Sequence, residues 1–118
     1  AKGRLAKQAK EEEEANKLMS DSNALQEAGC FSIVFEKIPA DLAGKISKSL
    51  EIPTIGIGAG RDCDGQVLVL HDMLGITKQF SPRFLRRYAS LGDTINSAVK
   101  QYITDIRGGD FPNSDESY

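Results

Sequence analysis

The segment Phe31-Ser32-Ile33-Val34-Phe35-Glu36-Lys37-Ile38-Pro39 decides the fold. A mostly apolar run meets a carboxylate, with Gly29 upstream and Pro39 downstream. A short apolar run bounded by breakers predicts a strand over residues 30–35, buried on both faces. Strands of that kind belong to parallel α/β sheets, where chemistry collects at the carboxyl ends. Glu36 falls at that end. Position alone leaves two readings open, a catalytic group or a satisfied structural acid.

Upstream, residues 2–28 read as a helix with Ala15, Leu18, Met19, Leu25 and Ala28 on one apolar stripe. Lys10 and Glu14 stand four apart on a face expected to be solvated. Residues 1–8, with Gly3 and no apolar period, are expected to fray or form a loop, and Gly29 is a C-cap signal. Downstream, Pro39 suits the first turn of a second helix, with Asp41 near its positive end. Leu42, Ala43, Ile46, Ser49 and Leu50 form its expected buried face, and Ile52-Pro53 ends it.

Residues 54–57 predict a second strand, which runs into Gly56-Ile57-Gly58-Ala59-Gly60. Glycines at alternate positions let a backbone turn sharply or approach a ligand. A dinucleotide fingerprint would need a helix directly after them. Arg61-Asp62-Cys63-Asp64-Gly65 is turn chemistry instead, which excludes that reading. A glycine-rich strand exit lining the mouth of a site fits better, so Gly58 and Gly60 are candidate substrate-binding positions. Residues 66–70 predict a third strand ending at His71-Asp72. His71, the only histidine, has three readings at a strand end: an acid/base group, a ligand or a hydrogen-bonded support. The structural role is favoured, since no second histidine stands near to form a metal set, and substrate binding is the sharper alternative. Asp72 is expected to cap the turn Met73-Leu74-Gly75.

Ser81-Pro82 is a helix-start signal, with Phe84, Leu85 and Tyr88 on one side and Arg83, Arg86 and Arg87 on the other. The arginines read as a solvated or subunit-contact face, with an anion site as the sharper alternative. A last helix follows Gly92, with Ile95, Val99, Tyr102, Ile103 and Ile106 as its stripe and Gly108-Gly109 as its stop. Residues 110–118 are expected to be a loose tail in which Phe111 can dock.

At 118 residues and 40% apolar content, the chain is the size of one small domain. A net charge of −2 argues against a nucleic-acid partner or an anionic membrane. No apolar run approaches the roughly 18–20 residues that span a bilayer, and no secretory leader is legible. Cys30 and Cys63 show no metal spacing and read as reduced thiols of a cytoplasmic protein. A parallel sheet of so few strands leaves open edges and faces. The chain is therefore expected to be a piece of a larger domain or one completed by partners.

Three blocks carry a resemblance: Glu36-Lys37-Ile38-Pro39-Ala40, the run from Ile52 to Gly60, and the run from Asp64 to Gly75. In that order and spacing they resemble ketopantoate hydroxymethyltransferases, roughly over residues 18–112. The resemblance implies the C-terminal part of a (β/α)8 TIM barrel of the phosphoenolpyruvate/pyruvate superfamily, namely its last three strands and helices. It implies transfer of a one-carbon unit from 5,10-methylenetetrahydrofolate to the keto acid 3-methyl-2-oxobutanoate, giving 2-dehydropantoate for pantothenate synthesis. It further implies Mg2+ with ligands outside this segment, a cytoplasmic homo-oligomer, typically a decamer, and Glu36 as the catalytic base. Removing a proton beside a carbonyl needs such a base and stabilisation of the enolate by a metal or fixed donors. Two alternatives stand beside this: a carbon–carbon lyase of the phosphoenolpyruvate mutase and isocitrate lyase group, whose reactive-cysteine motif is not visible, and an inactive barrel piece acting as an assembly module.

Overall fold

Ala, Lys, Glu, Gln, Arg and Leu dominate the first residues, and all are strong helix formers. In the computed structural model, which describes residues 2–118, they form α1 (Lys2–Glu27). The expected frayed start is therefore corrected over residues 2–8, because propensity outweighs the single Gly3; residue 1 lies outside the described residues. Exposed pairs Lys7–Glu11, Lys10–Glu14 and Lys17–Asp21 run along the helix at i,i+4. The remaining elements are β1 (Ile33–Glu36), α2 (Ala40–Ser49), β2 (Thr54–Ile57), β3 (Gly65–Gln66), α3 (Leu70–Met73), α4 (Leu91–Gly108) and a 3-10 turn (Ser114–Glu116). The chain divides into two compact units, one running to Val67 and the other Leu68–Tyr118.

In the first unit the strands form one parallel sheet in the order β1-β2-β3. The α/β expectation holds. Ile33, Phe35, Ala43, Ile46, Leu50 and Ala59 make the core, with Leu18 and Met19 of α1 packed against it. Phe35 is 2% exposed, but Val34, one residue away, is 58% exposed. The expectation of a strand buried on both faces is thus corrected. Side chains alternate across a strand, and only the Ile33/Phe35 face is covered among the described residues.

The buried side of α2 is Ala43, Gly44, Ile46 and Ser47, with Ser47 where Ser49 was expected. The Ser47 hydroxyl donates to the Ala43 carbonyl at 2.7 Å and meets the Thr54 hydroxyl at 2.7 Å, which satisfies it in the core. On α1 the covered stripe continues through Ser22 and Gln26 rather than Leu25, which is 45% exposed. Gln26 Oε1 accepts from the backbone N–H of Glu51 and Ile52 at 2.7 and 3.1 Å and so ties α1 to the α2–β2 turn.

The expected strand over residues 66–70 is only the two-residue β3 at the end of the first unit, and Leu70, in the second unit, already begins α3. The α3 turn closes through backbone bonds, Gly75 N–H to Asp72 O and Ile76 N–H to His71 O, so the expected Asp72 cap is replaced by main chain. No helix follows Ser81-Pro82; residues 81–90 are turns and irregular chain. Arg87 organises that stretch by donating to the carbonyls of Phe80 (2.6 Å) and Thr77 (3.2 Å) and to Ser81 Oγ (3.2 Å). Its guanidinium is engaged internally and is not part of an anion-holding face. Helix α4 ends at Gly109 (φ 74°) as its stop signal predicts, with its apolar stripe exposed. The tail is more ordered than expected: Phe111 stacks edge-on against Tyr102 at 5.5 Å, and the Asn113 side chain caps the 3-10 turn.

Candidate functional site

Parallel pairing places Ile33 opposite Thr54 and Glu36 opposite Ile57. Glu36 and the exit of β2 therefore lie at the same, carboxyl-terminal edge of the sheet. The edge is pinned one step further by Lys37 N–H, which donates to Ile57 O at 3.0 Å. Lys37 itself has φ 51°, a left-handed conformation that L-residues adopt at a cost. That reversal stops β1 immediately after Glu36 and turns the chain toward Pro39 and α2. Strain at such a point is common where a side chain must be presented at a set angle.

Gly58 (φ 69°) and Gly60 (φ 80°) also take left-handed backbone. They carry the chain off β2 and back toward the start of α2, where the Gly60 Cα lies against Ala40. The structure thus brings Glu36, Gly58 and Gly60 together on one rim. His71 lies in the second unit, exposed on α3 and not at a strand end. Glu36 is itself exposed. It shares its face of the sheet with Val34, and Ile55 and Ile57 occupy the paired positions of β2.

The base of the same loop is held by a second set of contacts. Asp64 Oδ2 accepts from the Thr54 N–H (2.8 Å) and hydroxyl (3.2 Å), and Thr54 is fully buried. Gln66 Nε2 donates to the Gly60 carbonyl at 2.8 Å. Lys37, Asp64 and Gln66 were not singled out from sequence. Asp64 precedes Gly65 in a turn-like string, but nothing local marks Lys37 or Gln66. Among the described residues no three His, Cys, Asp or Glu side chains converge on one point. These residues alone do not fit a magnesium ion. Both cysteines are free, and no helix among the described residues is long and apolar enough to cross a membrane.

A parallel sheet with a helix between its strands, and a carboxylate and a glycine-rich strand exit at its carboxyl edge, places this unit in the α/β class. Comparison with known families narrows the class. Residues 1–114 match the family described as Ketopantoate hydroxymethyltransferase, and the chain belongs to that family. It is 62% identical over 110 residues to the 3-methyl-2-oxobutanoate hydroxymethyltransferase of Porphyromonas gingivalis, covering 93% of this chain and 40% of that protein. The enzymes of the same name from Phocaeicola vulgatus (58% over 116 residues; 98% and 42% covered) and Chlorobaculum parvum (59% over 110 residues; 93% and 40%) are similar. The chain spans about two-fifths of the length of these relatives.

Proposed function

We propose that residues 1–118 are the C-terminal portion of a (β/α)8-barrel hydroxymethyltransferase, contributing its last three strands and helices. The enzyme transfers a one-carbon unit from 5,10-methylenetetrahydrofolate to 3-methyl-2-oxobutanoate, forming 2-dehydropantoate for pantothenate synthesis. The observation that supports this best is the placement of Glu36 at the carboxyl edge, level with Ile57 and beside the Gly58–Gly60 exit. Family membership supplies the substrate class.

In this reading the Glu36 carboxylate takes the proton from C3 of the keto acid. Water breaks both C–N bonds of the donor's methylene bridge, so tetrahydrofolate leaves with its two nitrogens protonated. C3 then bonds to the released carbon, whose water-derived oxygen becomes the hydroxyl by taking up the proton removed from C3. Val34, Ile55 and Ile57 form the apolar floor for the substrate's alkyl end, and the Gly58–Gly60 rim leaves room for the bulky donor. His71 is proposed as a further substrate contact. Mg2+ is proposed as the cofactor, with its ligands outside this segment, and the enzyme as a cytoplasmic homo-oligomer, a decamer. The open sheet face predicts that the 118-residue piece alone turns over nothing.

The test is to incubate the full-length enzyme carrying this segment with 3-methyl-2-oxobutanoate and 5,10-methylenetetrahydrofolate, and in parallel with substrates of the carbon–carbon lyases. Formation of 2-dehydropantoate, abolished or strongly reduced in Glu36→Gln, is the expected result. Cleavage of a lyase substrate without transfer would replace this reading with the lyase one.

A further inference from the structure

The Gly60 peptide is gripped from two sides. A Cβ added to Gly60 would sit 2.4 Å from the Ala40 Cβ and 2.9 Å from the Ala40 Cα, so this backbone lies directly on the first residue of α2. On the other side, the Gly60 carbonyl accepts the 2.8 Å hydrogen bond from Gln66 Nε2. Gln66 is fixed in turn by the pairing of β3 with Gly56. The missing side chain of Gly56 opens the path that the amide takes, since a Cβ there would lie 3.4 Å from Gln66 Nε2.

Phe35, Gly56 and Gln66 occupy one row of the sheet, whereas Glu36 and Ile57 occupy the next. Neighbours in a row share a face, and successive residues alternate. Gln66 therefore lies on the Phe35 side of the sheet, opposite the face that carries Glu36; it is exposed there, and its link to the rim is the Gly60 carbonyl. We infer that Gln66 is a positioning residue whose amide holds the Gly58–Gly60 rim in the shape that admits the one-carbon donor. This rests on the hydroxymethyl-transfer reading and adds a determinant of donor recognition to it. Without the amide, Gly60 keeps its contact with Ala40 but loses the bond that orients its carbonyl, and glycine's freedom lets the rim sample other conformations.

The experiment uses the full-length enzyme with Gln66→Glu, Gln66→Leu and Gln66→Lys. The first keeps the shape but not the donor, the second removes both polar atoms, and the third restores a donor. The expected result is a KM for 5,10-methylenetetrahydrofolate raised roughly three- to tenfold in the Glu and Leu variants, the scale of one lost hydrogen bond. The KM for the keto acid stays in place, amide hydrogen exchange quickens at residues 58–61, and Gln66→Lys returns toward wild type. An unchanged donor KM overturns the inference. Equal losses in kcat and both KM values together with a lowered Tm overturn it too, since they mark a merely structural residue. If the wild-type enzyme uses no folate donor at all, the functional reading falls, and the amide-exchange comparison alone decides whether Gln66 holds the rim.

Discussion

Replacing Gly60 by alanine tests the close approach that shapes the rim. Two costs arise. A left-handed φ of 80° is unfavourable for an L-residue, by about 1–2 kcal/mol. The new methyl group would also stand 2.4 Å from the Ala40 Cβ and 2.9 Å from its Cα. Neither atom is the end of a flexible side chain, so helix α2 or the loop must shift, at about 1–3 kcal/mol. Gly29→Ala is the control: its φ is 99°, yet an added Cβ there meets nothing within 4 Å. Both substitutions stiffen the unfolded chain alike, so that contribution cancels in the comparison. The difference between the two variants is therefore the steric cost, about 1–3 kcal/mol. In differential scanning of the full-length enzyme at one protein concentration, that corresponds to Gly60→Ala melting roughly 2–12 °C below Gly29→Ala. Equal Tm values would refute the argument that Gly60 is held against the start of α2.

Lys37 should respond in the opposite sense. Because its φ is 51°, Lys37→Gly should leave stability unchanged or raise it by up to about 1 kcal/mol, whereas β-branched Lys37→Val should lower it; equilibrium denaturation midpoints check the pair. Asp64→Ala leaves the buried Thr54 N–H without its acceptor and should cost about 1–3 kcal/mol, a loss that Asp64→Asn, which keeps a carbonyl oxygen, should partly restore. Arg87→Ala removes the donor to the Thr77 and Phe80 carbonyls. Amide exchange should then quicken at residues 76–90 and stay unchanged in the core strands Ile33–Glu36 and Thr54–Ile57.

Local signals were sufficient where a breaker or a period acts on its own neighbours. Pro39 announces α2, the Thr54-Ile55 pair followed by Gly56 announces β2, and Gly108-Gly109 announces the end of α4. They failed where a distant group decides. Val67-Leu68-Val69-Leu70 reads as strand by composition, yet pairing with β2 stops after Gln66 and Leu70 starts a helix. Ser81-Pro82 has the composition of a helix start, but Arg87 draws the nearby carbonyls into a different arrangement. Gln26 and Ser47 look solvent-facing by residue type, and each is drawn inward by a partner outside its own helix. The site shows the same division. That Glu36 and the glycines stand at strand ends was legible, because strand ends and glycine runs are local features. Lys37's backbone and Gln66's bond to Gly60 exist only once the parallel register is set.

The central claim is that Glu36 removes the C3 proton, and isotope exchange reads that step without the later carbon–carbon bond formation. Full-length wild-type enzyme and Glu36→Gln would be held with 3-methyl-2-oxobutanoate in deuterium oxide, without the one-carbon donor, and loss of the C3 proton signal followed by NMR. The account predicts steady exchange by the wild type and a rate at least roughly tenfold lower in Glu36→Gln, with folding intact by circular dichroism. Wild-type exchange by a folded Glu36→Gln enzyme would contradict it.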